Sequence, residues 1–281
     1  MTYILYNPIA GNGSGKEKAE TVRQRLGAEN AECLDITALD TARFLSGLDA
    51  EEKIIIAGGD GTLNRLMNAL GGQMPKLKLY YYAAGSGNDF MNDVSAAAKD
   101  GMVELNGYMR SLPVAEVNGQ KHYFINGVGY GIDGYCCQTG DELRARGERD
   151  INYTGIAIKG LLKEYKPTSA TVTVDGREYK FRHVWLAPTM VGRYYGGGMM
   201  VAPAQDRLNG AHTVSVVVLH CKSKLKTLVV FPNIFSGQHV KHTDMVQVIT
   251  GHDIRVRFDR PTPLQIDGET IKDVTEYSVR W

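Results

Sequence analysis

The residues best suited to chemistry stand where glycine interrupts an apolar run. In Ile54–Asn68, "IIIAGGDGTLNRLMN", three β-branched residues lead into Gly58, Gly59, Asp60, Gly61 and Thr62, and a helical spacing follows through Leu63 and Asn64. Glycines let backbone N–H groups approach a polyanion closely, and a helix N-terminus adds partial positive charge. A carboxylate at that place repels phosphate unless a cation intervenes. Mg²⁺, bound through one or two carboxylates plus phosphate oxygens, resolves the conflict. The plainer reading is that Asp60 caps the helix at Thr62, or that Thr62 is itself the cap.

Two sister turns repeat the device: "NPIAGNGSGK" (Asn7–Lys16) and "AAGSGNDF" (Ala83–Phe90). Neither standard phosphate motif explains the first of them. A Walker A loop would need glycine where Ala10 stands and Ser or Thr where Glu17 stands, and Gly11, Gly13 and Gly15 are spaced G-x-G-x-G instead of G-x-G-x-x-G. Several such turns converging make the case for a polyphosphate, since the carboxyl edge of a parallel sheet is where such folds bind ligands.

The elements that would carry these turns alternate. Strand-like runs at Tyr3–Pro8, Ala31–Ile36, Lys53–Gly58 and Lys78–Gly85 are separated by helical patterns at about Lys16–Leu26, Asp40–Leu48 and Thr62–Leu70. That order predicts an α/β lobe, a doubly wound parallel sheet, over residues 1–110. From residue 111 to 281 the character changes. Hairpin signals at Asn118-Gly119 and Asp175-Gly176 lie among strand-like runs. Helical patterns are expected only at Asn152–Glu164 and about Ser223–Phe235. A second, β-rich lobe is expected, with its C-terminal strands as candidates to return to the first.

Composition narrows the partners. Of 281 residues, 43% are apolar, enough for a sizeable core. Lys plus Arg is 32 and Asp plus Glu is 31, so no basic excess points to nucleic acid. Cys33, Cys136, Cys137 and Cys221 form no CxxC, which fits reduced thiols in a cytoplasmic protein. No signal peptide is read at the N-terminus, and no run of ~18 apolar residues is present to span a membrane.

"GGDGTLN" followed by "GSGNDF" resembles the diacylglycerol kinase catalytic-domain family, which also holds sphingosine kinases and bacterial lipid kinases. Three further segments fit in order: "NPIAGNGSG" (N-P-x-x-G), "YYGGGMMVAPAQ" at Tyr194–Gln205 (G-G-G-M-x-x-A-P), and "LQIDGE" at Leu264–Glu269 (D-G-E). The resemblance implies a nucleotide-binding lobe like that of NAD kinases and phosphofructokinases, a β-sandwich-like second lobe, and an active site in the cleft between them. It implies ATP and Mg²⁺ as cofactors and a lipid hydroxyl as acceptor, with the protein cytoplasmic and peripherally associated with a membrane. Carried over by position, Asn7, Pro8, Ile9, Ala10 and Gly11 contact the nucleotide with Thr37 nearby. Gly58 to Asn64 wrap the phosphates, and Ser86, Asn88 and Asp89 complete the third turn. Ser86 stands where the family usually has threonine.

Phosphoryl transfer to an alcohol needs an acceptor for the hydroxyl proton. Glu269 ends an apolar strand at a rim, and the family's D-G-E glutamate is taken as that acceptor. The competing reading of "DGE" is a hairpin turn. The family also carries a structural Mg²⁺ in a D-G-x-L-D loop, and the matching positions here are Asp206, Asn209 and Ala211. Asn209 and Thr213 replace aspartates, which weakens a hard-cation site.

The histidines show no metal-binding spacing, and His239 and His242 read as loop or surface residues. "GERDINYTG" reads as an exposed loop able to gate the cleft. "LKTLVVFPNIF" (Leu225–Phe235), near Lys222, Lys224 and Lys226, is a candidate for acyl-chain contact, against the alternative of a packed helix. The rival functions are an NAD kinase or another small-molecule kinase, a nucleotide-binding regulator without turnover, and a purely membrane-binding protein. Against the first, "GSGNDF" is present and the N-D-A-H segment of NAD kinases is not.

Overall fold

The structure, a computed structural model, describes residues 1–27, 30–148 and 151–281. The chain divides into two compact units, Met1–Leu112 and Pro113–Trp281.

In the first unit, strands β1 (Thr2–Tyr6), β2 (Ala31–Asp35), β3 (Lys53–Gly58), β4 (Leu79–Ala83) and β5 (Met102–Glu104) form a sheet ordered β2-β1-β3-β4-β5. The first four run parallel, and β5 closes the edge antiparallel to β4. Ile54, Ile55, Ile56 and Ala57 of β3 are all fully buried. A central strand covered on both faces requires such a continuous apolar run in place of alternation. Helices α1 (Gly15–Arg25), α2 (Thr41–Ser46), α3 (Asp60–Ala69) and α4 (Asp89–Val94) connect the strands. Because β2 and β3 flank β1, the strand order reverses at β1, and the turns leaving β1 and β3 diverge at the carboxyl edge. This is the doubly wound lobe expected from sequence, with β5 added as a strand too short to show a pattern.

The second unit begins with β6 (Val114–Val117), β7 (Gln120–Tyr123) and β8 (Gly127–Tyr130), then helices α5 (Ile132–Ala145) and α6 (Tyr153–Lys159). Strands β9 (Thr168–Val174), β10 (Arg177–Leu186), β11 (Thr189–Met190), β12 (Tyr194–Tyr195), β13 (Met199–Met200) and β14 (Val214–His220) follow. Helix α7 (Lys224–Val230) and strands β15 (Val246–Gly251), β16 (Asp253–Ile266) and β17 (Glu269–Arg280) complete it. Strand β16 pairs with β9 through Ile254–Phe258 and with β8 through Leu264–Ile266, so the sheet folds back on itself around a core that includes Tyr130, Val172, Val216 and Tyr277. The bend in β16 falls where its register against β17 shifts, between Arg257 and Thr262, a stretch holding Pro261, which has no N–H to donate.

Four expectations need correction. The C-terminal strands β16 and β17 hydrogen-bond inside this second sheet, joined to each other by the Asp267-Gly268 turn. Helix α5 was not expected, because its two internal glycines and paired cysteines blur the amphipathic pattern. His239 is fully buried and its Nε2 lies 3.0 Å from the Val201 carbonyl oxygen, so it is a core residue and not a surface one. Within "GERDINYTG", Arg149 and Asp150 lie outside the described residues. Asn152 is no loop residue but the cap of α6, its side chain accepting from the Gly155 N–H at 2.8 Å.

Candidate active site

The three glycine turns meet at one edge of the first sheet. Asn7 follows β1, and its side-chain amide donates to the Thr62 hydroxyl of α3 at 3.0 Å, joining the first turn to the second. Lys18 of α1 donates to the Ala84 carbonyl at 2.9 Å, joining the first turn to the third. Gly11 takes φ +58°, and a Cβ there would stand 2.5 Å from the Ala84 oxygen. A Cβ on Gly85 would stand 2.5 Å from the Cα of Gly59. Backbones this close accept no side chain, so glycine at these positions is a packing requirement.

Asp60 does something neither sequence reading proposed. It lies in the first turn of α3 and receives two N–H donors from the third turn: Asp89 at 3.0 Å and Phe90 at 2.8 Å. Its carboxylate caps the neighbouring helix α4, and in doing so ties "GGDGT" to "GSGND". Asn88 locks the same turn from within, at φ +53°, by exchanging bonds with the Gly85 N–H at 3.0 Å and the Gly85 carbonyl at 2.9 Å. Asp89 is buried, and Tyr81 lies beneath. Burial pushes the Tyr81 hydroxyl well above its ordinary range, and the charges of Asp60 and Asp89 push it further.

The remaining expected residues of this lobe divide. Pro8 and Ala10 are half-buried in the first turn and Ile9 is exposed, its N–H held by the Asn7 side chain at 3.1 Å. Thr62, Leu63 and Asn64 are buried in α3, whereas Gly61 borders open space. Ser86 is exposed on the rim. Thr37 follows β2, and both its N–H and its hydroxyl donate to Asp35, at 2.8 and 2.7 Å. It therefore stands at the outer strand of the same edge. Lys18 was missed in the sequence; its signal was a basic residue in the first turn of a helix that follows a glycine turn.

In the second unit, Asp267 and Gly268 take φ +45° and +93°, the left-handed pair of a tight hairpin. Asp267 accepts from the N–H groups of Ile125, Asn126 and Gly127 at 2.7, 2.9 and 3.1 Å. Arg207, buried, holds the same segment through the Ile125 carbonyl at 2.7 Å and the Asn126 side chain at 3.1 Å. Glu269 is thereby presented, exposed, as the first residue of β17. Beside it the Thr270 hydroxyl donates to Asp141 of α5 at 2.7 Å. On the same helix, Asp133 is buried and accepts from the Tyr195 hydroxyl at 2.9 Å; burial raises its carboxyl from 3.8 to about 6. Burial also pushes the Cys137 thiol up to about 12, which keeps it protonated and inert.

The residues expected to hold a structural cation do not fit one. The Asn209 amide donates to the Asp206 carbonyl at 2.6 Å and to the Thr213 carbonyl at 3.1 Å, and its oxygen accepts from the Thr213 N–H at 2.9 Å and hydroxyl at 3.1 Å. The Ala211 carbonyl faces His252 Nε2 at 2.9 Å, and one Asp206 oxygen accepts from the Leu208 N–H at 2.9 Å. The loop is closed by hydrogen bonds where the expectation placed an ion. No cluster of three or more His, Cys, Asp or Glu suited to a metal occurs among the described residues.

Residues 1–113 match the diacylglycerol kinase catalytic domain, and residues 126–278 match the YegS C-terminal NAD kinase beta sandwich-like domain. The chain is 25% identical to a diacylglycerol kinase of Mycobacterium tuberculosis across 84% of this chain and 79% of that one. It is 24% identical to a diacylglycerol kinase of Bacillus subtilis across 95% and 88%. A crystal structure of a candidate diacylglycerol kinase from Bacillus anthracis shares the fold, with a TM-score of 0.71 at 19% identity, covering 99% and 91% of the two chains. With one matching domain on each unit, the chain belongs to the diacylglycerol kinase catalytic-domain family of lipid kinases, its second unit being the YegS-type sandwich.

Proposed function

We propose that this protein transfers the γ-phosphate of ATP to a lipid hydroxyl at a membrane surface, with diacylglycerol as the first acceptor to try. The observation that supports this reading most directly is the interlock of three glycine turns at one edge of β1, β3 and β4. Asn7–Thr62, Lys18–Ala84 and Asp60–Asp89 hold backbone N–H groups and two helix N-termini of eight or more residues at that edge. A triphosphate is the ligand such a cradle suits. Mg²⁺, when bound, neutralises phosphate charge. Asp60, the carboxylate in the first turn of α3 beside Gly59 and Gly61, is the residue suited to hold it.

Glu269 is the proposed proton acceptor. It takes the proton of the lipid hydroxyl as the oxygen attacks the γ-phosphorus, and ADP leaves with the electron pair of the broken bond. Asp267 and Arg207 are positioning residues, since they hold the hairpin and its neighbour and leave Glu269 exposed.

The test is incubation of the purified protein with γ-labelled ATP, Mg²⁺ and a total lipid extract, followed by separation of the lipids. Label in one lipid class supports the reading and names the acceptor. ATP binding with no labelled lipid in any extract overturns it and leaves a nucleotide-binding regulator.

A further inference from the structure

We infer that the outer face of α6 and α7 in the second unit docks on an anionic lipid bilayer, a deepening that rests on the lipid-kinase reading. Each exposes an aliphatic pair four residues apart: Ile158 on α6 with Leu162 on the helical turn Gly160–Glu164 that continues it, and Leu225 and Val229 on α7. Leu225 and Val229 are 73% and 69% exposed, high for side chains that a helix can turn inward at no cost in length. The opposite faces are satisfied already: Leu161, Val230, Phe231 and Ile234 pack with Trp185 in one core cluster. The two outer pairs are neighbours, because the Lys224 ammonium donates to the Leu162 carbonyl at 3.3 Å.

Charge selects the occupant. The segment from Cys221 to Thr243 contains no Asp or Glu and carries Lys222, Lys224, Lys226 and Lys241. Lys159 and Lys163 flank the other pair, and Glu164 is already bound by Lys159 at 2.7 Å. Beside α7, a recess of about 420 Å³ is lined by Lys180, Arg182, Lys222, Lys226 and Asp244; Lys226 pairs with Asp244 and Lys180 with Glu178 at 3.1 Å, so Arg182 and Lys222 add the excess positive charge. His220 also lines it, its Nε2 enclosed with no hydrogen-bond partner among the described residues. Aliphatic tips ringed by lysines, with a cationic recess alongside, match the boundary between acyl chains and phosphate headgroups. Phe235, 46% exposed in the same segment, adds an aromatic of the kind that sits at a bilayer interface, and the unbalanced lysines favour an anionic lipid surface over a protein face with paired charges.

Flotation with vesicles of phosphatidylcholine, and of the same lipid doped with phosphatidylglycerol, tests the proposal on the full chain. The wild type should bind doped vesicles and hardly bind neutral ones. Each lysine removed in K222Q/K224Q should weaken binding about fivefold. L225S/V229S should weaken it at least tenfold, with thermal unfolding unchanged because all four side chains are exposed. Soluble glycerol phosphate in excess should not release the protein from doped vesicles; if it does, the recess takes a free anion and the bilayer assignment fails. Wild-type binding that ignores phosphatidylglycerol, or variants that bind like the wild type, overturns the proposal. So does a change of oligomeric state in L225S/V229S without loss of vesicle binding, since the face would then be a contact between copies. Transfer of phosphate to a short-chain lipid in detergent should be unaffected in both variants. If the wild type transfers none, the kinase reading fails while the vesicle result still stands by itself.

Discussion

Asp60 and Asp267 lie in different units, each precedes a glycine, and each spends both carboxylate oxygens on backbone amides from another part of its unit. Asp60 gathers two donors and fastens one phosphate turn to the next. Asp267 gathers three and fastens the β8 entry to a hairpin. The difference lies in what stands beside them. Asp60 is surrounded by glycines that bring backbones together and leave an open edge at Gly61, so under the proposed function the same carboxylate serves both fold and ligand. At Asp267 the tasks are separated: it holds the turn while Glu269, two residues on, carries the exposed charge. An acid in a glycine turn is thus first an amide collector, and its chemistry must be tested apart from that duty.

Glu269→Gln gives the largest expected effect and the sharpest separation. A general base contributes roughly 10²- to 10⁴-fold, so kcat should fall by that factor with ATP affinity and unfolding unchanged. Asp267→Ala should behave differently, leaving three amides without their acceptor and costing about 3–5 kcal/mol in denaturant unfolding. Equal stability losses in the two variants would show that the hairpin does not divide its tasks.

Asp60 lets the comparison be broken. Asp60→Ala should cost about 2–4 kcal/mol, because two N–H groups at the start of α4 lose their cap, and should abolish turnover. Asp60→Asn retains one acceptor and should recover part of the stability. If Asp60→Asn also recovers turnover in proportion, Asp60 is an anchor and nothing more, and the Mg²⁺ role assigned to it fails.

The first unit was legible because its signals are local. The β3 run, the glycine turns and their order along the chain declare a parallel sheet and the edge at which the turns collect. What the sequence withheld was the partner of each side chain. Asp60 reaching Asp89, or Asp267 reaching Ile125 across more than a hundred residues, depends on tertiary placement that no spacing encodes. Helix α5 was missed for a different reason: glycines at Gly134 and Gly140 admit the Pro263 backbone and the Tyr153 ring, a packing role that erases the helical pattern. His239 was misread because the stretch Ser236-Gly237-Gln238 before it and Lys241-His242 after it reads as a solvated loop, whereas here the ring fills a buried site.

Asp133 offers a test within the helix that sequence did not reveal. Folding raises its carboxyl from 3.8 to about 6, so between these values the folded chain binds more protons than the unfolded one. This group's contribution is complete below the lower value, declines as pH rises through the window, and is absent above it. At about 1.4 kcal/mol per tenfold change in proton affinity, the loss amounts to roughly 2–3 kcal/mol. Asp133→Asn removes the titration and keeps an acceptor for Tyr195. Its unfolding midpoint should therefore gain on the wild type as pH rises from 4 to 7. A constant difference across that range would mean that Asp133 stays charged throughout.

The smallest expected effect concerns the loop from Asp206 to Thr213, where the amide of Asn209 bridges two carbonyls that would otherwise face an ion. Without nucleotide, wild-type unfolding should be the same in excess Mg²⁺ and in chelator, since the loop's carbonyls are already bonded to the Asn209 amide. Asn209→Asp reverses the logic: it removes both N–H donors, leaves the Asp206 and Thr213 carbonyls facing a new carboxylate, and so rebuilds an all-oxygen site. In chelator that variant should lose about 1–3 kcal/mol through unpaired carbonyls and charge repulsion. Mg²⁺ or Ca²⁺ should restore about 1 kcal/mol or more, by RT ln(1 + [L]/Kd). Stabilisation of the wild type by either ion, lost in Asn209→Ala, would show that the amide yields to a metal and that the hydrogen-bonded loop is only one of its two states.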